Sequence, residues 1–516
     1  MRIGIDVGGT NTDAALLQDF RVLAGAKVQT TEDVSSGVIS VIQRVLQTSG
    51  NSENDISAVM VGTTHFVNAF VQRKSLLNVA CVRVGLPMGS GIPPLVDWPD
   101  ELRQQIGEHI YMIGGGSYFD GTDYAPLDEQ ALEQTALDIK AKGIVSVAIS
   151  AVFSPVRTDI ELRAAEILAR HLDNVNITLS HQVGGIGLVE RENAAIINAS
   201  LQALSHKVIP TLQQAISELG IAAPLYLSHN DGTLMSAEYA MQYPVMTCNA
   251  SVTNSIRGAA FLSGLSDAII VDIGGTTTDI GCLSKGFARE TSNASEIGDV
   301  RTNFSMPDVL SIALGGGTCI REKNNQIILG PDSVGFKLTQ KALVFGGDTL
   351  TTSDIAIACG QMKFGNESKL SHLSKGLIDK VHKAMKARLE SAIDQLKLSA
   401  EPVPVILVGG GAHLIAGDLK GTSEVIHPIN SDVANAIGAA IAQVGGRVKR
   451  LFDYKLEGGR EKALEKAKKE AIDNAVKAGA KPGTVEIIEL EEYPMTHVQS
   501  NTVDVKVRAV GQLENF

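Results

Sequence analysis

Residues 5–13 read IDVGGTNTD, and residues 271–279 read VDIGGTTTD. Asp, two glycines, two threonines and a closing Asp recur in register, as Asp6/Asp272, Gly8/Gly274, Gly9/Gly275, Thr10/Thr276, Thr12/Thr278 and Asp13/Asp279. An apolar run precedes each copy (Ile3–Val7 and Ala268–Ile273) and predicts a buried strand, while the alternating residues that follow predict a second strand returning beside it. Each copy is therefore expected to be a hairpin with a glycine-rich tip. The repetition makes it one device used once in each half of the chain.

Outward from the first hairpin, Val38, Val41, Ile42 and Val45 mark one face of a helix over 35–46, and a strand follows at 56–61. A helix over 127–142 leads into an apolar strand at 143–150, with a turn-rich segment at 114–126 before them. The second half adds LGGGT at Leu314–Thr318, VILVGGG at Val405–Gly411, and the small-residue helix DVANAIGAAIAQV at 432–444. After Gly445 and Gly446 comes a Lys/Glu-laced amphipathic helix over 461–478, then alternating residues with Val503, Val505 and Val507 inward and Asp504, Lys506 and Arg508 outward. This βα alternation predicts an α/β fold of layered sheets and covering helices. The expected division is an N-terminal lobe over 1–180, a second lobe with connecting helices over 181–446, and a small appended α+β module over 447–516.

Composition narrows the function. The chain has 516 residues, enough for several cores, and 57 acidic against 45 basic side chains give a net charge of −12. That balance disfavours nucleic acid as a partner. No segment reads as a membrane span or signal peptide, so the cytoplasm is expected. The five scattered cysteines form neither a C-x-x-C pair nor a disulfide frame.

A glycine tip flanked by hydroxyls fits phosphate. Gly8 and Gly9, and Gly274 and Gly275, let backbone N–H groups approach phosphate oxygens, and Thr10, Asn11, Thr12, Thr276 and Thr277 add side-chain donors. Asp6 and Asp272, at the strand ends, have the hard oxygen chemistry that suits a hydrated Mg²⁺. Gly315, Gly316 and Gly317 read as a second backbone cradle near the transferred phosphate. Gly409, Gly410 and Gly411 read as a side-chain-free surface for the adenosine. For Asp13 and Asp279 a turn-stabilising role is favoured. Thr63, Thr64 and Asn68 read either as amide-binding groups or as helix caps.

Taken together, the hairpins, the VGGG turn and DVANAIGAA resemble the superfamily of actin, hexokinase and the heat-shock chaperone ATPases, in which two ribonuclease-H-like lobes clamp Mg-ATP. More specifically, the chain resembles the A-type subunits of the hydantoinase/5-oxoprolinase family, related to acetone carboxylase subunits. The stretches that carry this are IGIDVGGTNTDAAL (3–16), VGTTHFVNAFVQRK (61–74), VAISAVFSPVRTDIELRAAEIL (147–168), VERENAAIINASL (189–201), SHNDGTLMSAEYAMQYPV (228–245), DVLSIALGGGT (308–318) and DVANAIGAA (432–440), besides the second hairpin. Two departures stand out. NASVTNS at 249–255 replaces the family's Ser-Gly-Pro-Ala-Gly turn, and GTTHFVNA replaces GTTxATNA, which makes His65 either a specificity residue or a packed surface histidine.

The resemblance implies ATP-dependent O-phosphorylation of a cyclic amide or imide, such as a hydantoin or 5-oxoproline, followed by hydrolysis. ATP and Mg²⁺ are the implied cofactors. Asp6, Asp272, Thr10 and Thr276 are the implied catalytic residues, with both aspartates at the metal. A hydrolase-type second subunit and an oligomeric assembly are the implied partners, since no Ser-His-Asp, Cys-His or metal-ligand spacing supplies a base for water attack. A small-molecule kinase and an ATP-gated switch remain open as alternatives.

Overall fold

The structure is a computed structural model, and it describes residues 1–31, 34–291, 295–304, 306–324, 326–495 and 502–513. The first hairpin forms as expected: Arg2–Val7 lies antiparallel to Asn11–Gln18, with Asp6 opposite Asp13. Arg21–Gln29 extends the hairpin on one side. On the other, Arg2–Val7 pairs in parallel with Ala58–Thr63, which pairs in parallel with Leu225–Ser228. The second hairpin repeats this plan. Ala268–Ile273 is antiparallel to Thr278–Ser284, with Asp272 opposite Asp279, and parallel to Val403–Val408, which is parallel to Thr422–Ile426. The outer antiparallel position is filled by Val309–Ile312 and Phe287–Ala288. Three antiparallel strands followed by two parallel ones, twice over, are two ribonuclease-H-like lobes, the architecture of the actin-like ATPases.

A third sheet, all parallel, collects His109–Gly114, Ala80–Leu86, Ser146–Ala151 and Asn176–Leu179 around a core of its own. Its buried strands are near-continuous apolar runs because helices such as Glu129–Ala141 and Thr158–Ala169 cover it.

The sheets cut across the linear boundaries. Strand Val444–Asp453 spans residue 446, pairs in parallel with Leu234–Ser236, and carries Thr502–Gly511 and then Glu486–Pro494. The C-terminal α+β segment thus continues the first-lobe sheet to nine strands. Helix Arg460–Lys477 explains the attachment. Its stripe Ala463, Ala467, Ala471 and Ala475 is fully buried, and Gly446 leaves the room it needs, since a Cβ there would stand 2.1 Å from the Ala475 nitrogen. Val503, Val505 and Val507 are buried as expected. The outward placement of Lys506 and Arg508 is not: both are buried, because Glu290, from the second lobe, pairs with Arg508, Lys506 and Arg447.

Between the lobes, helices Ala250–Ser263 and Ala434–Ile441 cross at backbone contact. A Cβ on Gly258 would stand 1.8 Å from the Ala434 carbonyl oxygen, and one on Gly438 would stand 1.9 Å from that of Asn254. Gly4 on the first strand is equally close to Ala436. The small-residue run at 434–440 thus buries bare backbone against the strand that ends in Asp6.

Candidate active site

Both hairpin tips close by the same bond, Gly8 N–H to the Asn11 carbonyl at 3.0 Å and Gly274 N–H to that of Thr277 at 2.9 Å. The LGGGT segment is tied to the second tip: Gly316 N–H donates to the Gly274 carbonyl at 3.0 Å and Gly317 N–H to that of Gly275 at 2.7 Å. Ser353 Oγ holds the Gly316 carbonyl from behind at 2.8 Å. The VGGG turn joins the same edge through Gly411 N–H to the Ile273 carbonyl at 2.7 Å. Gly409 has φ +86° and would drive a Cβ to 2.2 Å from Asp272 Oδ1, so only glycine fits there.

These parts enclose a cleft of about 420 Å³. Asp6, Gly8, Gly9, Thr10, Asn11, Asp272, Gly274, Gly275, Thr276, Thr277, Gly316, Gly409, Gly410 and Gly411 all line it. The space beside Gly9 is empty, and a Cβ on Gly410 would meet only Lys27 Nζ at 3.9 Å, so both present bare backbone to the cavity. Three expected residues stand behind the wall. Thr12 is buried with its hydroxyl 3.1 Å from that of Thr30, because strand alternation turns it inward. Gly315 packs on the Thr276 backbone and Gly317 on Ser333, so both shape the cradle without lining it.

Asp6 and Asp272 are held alike. Helix Ala250–Ser263 sends Ser251 Oγ to Asp6 Oδ2 at 2.8 Å and, one turn on, Ser255 Oγ to Asp272 Oδ2. Asn435 Nδ2 adds a second bond to Asp6 Oδ2 at 2.9 Å. Asp6 Oδ1 is buried and meets no protein donor. Burial pushes Asp6 up to about 7, with the Asp13 and Asp272 charges adding to it and the Ser251 bond opposing. Burial likewise lifts Asp272 to about 6. Lys27 forms a 2.6 Å ion pair with Asp13, beside the same cleft.

Two acids raised in pKa, Asp6 buried and Asp272 half-buried, with one oxygen bare, fit a cation that would neutralise them. Among the described residues no three His, Cys, Asp or Glu side chains converge as a metal cage. The donor set suits Mg²⁺, which keeps water and phosphate oxygens in its shell.

Ser251, Ser255, Asn435 and Lys27 were not singled out from the sequence. The first two lie in NASVTNS, the departure from the family turn, as two hydroxyls at i, i+4 spacing. That spacing was the available signal. His65 starts the short helix His65–Val71, its N–H bonded to Thr63 Oγ1 at 3.0 Å, and burial lowers its pKa. Neither it nor Asn68 lines the cleft. No helix is long and apolar enough to cross a membrane among the described residues.

The fold is that of the actin-like ATPases, with the cleft between its two lobes. Family models described as the hydantoinase/oxoprolinase N-terminal region and hydantoinase/oxoprolinase match residues 2–172 and 191–367. The alpha subunit of caprolactamase from Pseudomonas jessenii is 25% identical over 395 residues, 70% of this chain and 55% of that one. The gamma subunit of acetophenone carboxylase from Aromatoleum aromaticum is 24% identical, over 69% of this chain and 53% of that one. The crystal structure of ATP-dependent caprolactamase from Pseudomonas jessenii superposes with a TM-score of 0.75 at 18% identity, covering 99% of this chain and 88% of that one. The chain belongs to the hydantoinase/oxoprolinase family. It spans 53–62% of the length of the first curated relatives it matches.

Proposed function

We propose that this chain uses ATP to phosphorylate the carbonyl oxygen of a cyclic amide or imide, as the activating component of a ring-opening hydrolase. The observation that carries this reading is the pairing of two matching glycine tips around two aspartates, Asp6 buried and Asp272 half-buried, each fixed by a serine of one helix.

An amide resists water because the nitrogen lone pair is shared with the carbonyl. When ATP is bound, moving its terminal phosphoryl group to the carbonyl oxygen removes that resonance and installs a leaving group. The chain's own residues supply position and charge. Gly9 and Gly275 offer backbone N–H groups to the phosphates, Gly8, Gly274 and Gly316, whose N–H groups close the tips and the cradle, shape the wall, and Thr10, Asn11, Thr276 and Thr277 are side-chain donors. Gly409, Gly410 and Gly411 leave a face open for the nucleoside. Asp6 and Asp272 would hold Mg²⁺, the ion supplying charge neutralisation at the phosphates, while Ser251, Ser255 and Asn435 keep both carboxylates in place.

The compounds for which two relatives are named, a lactam and a ketone, each contain a carbonyl and neither contains a hydroxyl, which supports carbonyl activation over hydroxyl phosphorylation. Their names as subunits support a second chain as partner, to which we assign the hydrolytic step. The test is a screen of hydantoins, lactams and 5-oxoproline for stimulated ADP release, with and without that partner. Stimulation with ring opening supports the reading; a stable phosphorylated product makes the chain a kinase.

A further inference from the structure

A second cavity, of about 370 Å³, shares no lining residue with the cleft. It lies where the loop after Leu225–Ser228 meets helix Ser180–Val183 and the C-terminal strand and helix. Two imidazoles line it, and each has its Nδ1 committed. His181 Nδ1 lies 2.7 Å from Glu161 Oε2. Glu161 is fully buried, and it also accepts from Ala151 N–H at 2.9 Å, His181 N–H at 3.1 Å and Ser180 Oγ. His229 Nδ1 lies 3.1 Å from the Asp231 nitrogen and 3.0 Å from the Asp231 carboxylate, which Thr233 N–H and Oγ1 anchor. Neither Nε2 has a hydrogen-bond partner among the described residues. Burying a carboxylate is costly, and gathering four donors on Glu161 fixes the orientation of one ring at the cavity wall.

The charge of the wall is the second observation. Four cations line it, of which Arg447 pairs with Glu290 and Arg450 with Glu470. Lys449 and Lys477 have no carboxylate within ion-pair distance among the described residues. Asp231 and Glu470 line it as well and Asp504 acts on Lys449, so the positive charge left for an anion to meet is chiefly that of Lys477. Met235, Met246 and Phe304 give the remainder an apolar face.

We propose that this cavity is a second ligand site, for a small organic carboxylate with an apolar body. Lys477 and Lys449 receive the carboxylate, and the Nε2 atoms of His181 and His229 hold a polar group at the other end. The site does not rest on the nucleotide reading, and no turnover enters its test.

The test titrates the full chain, without nucleotide, with 5-oxoprolinate and with 2-pyrrolidinone, the same lactam lacking the carboxylate. Calorimetry gives affinity, and histidine side-chain NMR gives location. The anion is expected to bind at least tenfold more tightly than the neutral lactam and to shift the His181 and His229 resonances. Lys477→Gln, at an exposed position, should weaken it at least threefold, and His181→Gln at least tenfold. Absence of binding by the anion, equal affinity for both lactams, binding that leaves both resonances in place, or an unchanged affinity in Lys477→Gln would each overturn the proposal.

Discussion

Asp6, buried at the end of the first strand, is central to the reaction we propose. Its pKa, raised by burial from 3.8 to about 7, has a sign that can be checked. A carboxyl group that holds its proton more tightly when folded favours the fold while protonated, so stability is lost as pH rises from about 4 through 7. Asp6→Asn, neutral at every pH, should therefore gain stability relative to the parent across that window. The difference should approach several kcal/mol at pH 8 in the absence of metal and vanish near pH 4, read by denaturation at each pH. Mg²⁺ with nucleotide should narrow it, since the ion favours the ionised form. The same substitution should cut ATP hydrolysis at least a hundredfold, and Asp272→Asn should behave alike. Ser251→Ala and Ser255→Ala remove one bond each from a buried carboxylate. Each should cost about 1–3 kcal/mol, with the larger share of lost turnover in kcat rather than KM.

At the level of elements, glycines divide into those that shape backbone and those that face a ligand. The sequence alone could not separate them. VGGG read as one side-chain-free surface, yet Gly409 and Gly411 press on Asp272 and Ile273, and Gly410 alone looks into open space. Gly410→Val should accordingly leave the melting temperature within about 2 °C of the parent while weakening ADP at least tenfold by calorimetry. Gly438→Ala is the contrast: its Cβ would stand 1.9 Å from the Asn254 carbonyl oxygen, and about 3 kcal/mol should be lost in urea denaturation as the helix crossing is forced apart. The hairpins were legible because a duplicated motif reports its own backbone need. The clamps on the two aspartates were not, because Ser251, Ser255 and Asn435 act through a fold that brings residues far apart in the chain to the ends of two strands, one in each lobe.

For the whole molecule, linear order misled where a sheet collects strands from distant segments. The first-lobe sheet takes Leu225–Ser228 and Leu234–Ser236 from mid-chain and Val444–Asp453 onward from the end, which no local composition shift reveals. The same arrangement places Arg447, Lys506 and Arg508 against Glu290 of the other lobe. Burial opposes ionisation of Glu290, but these cations outweigh it and hold its carboxyl at about 2. A carboxyl with a depressed pKa contributes stability that is lost as pH falls from about 4.5 toward 2. Glu290→Gln should cost about 3 kcal/mol at pH 7 and flatten that acid limb, as breaking a largely buried ion pair does.

Phosphoryl transfer to a carbonyl oxygen is the step we propose for this chain. It is tested most directly by supplying a turnover-supporting cyclic amide labelled with ¹⁸O at its carbonyl and recovering inorganic phosphate after acid quench. The account predicts that one labelled oxygen enters the phosphate for each ADP formed, and that Asp6→Asn forms neither. Stimulated ADP release with unlabelled phosphate would contradict it.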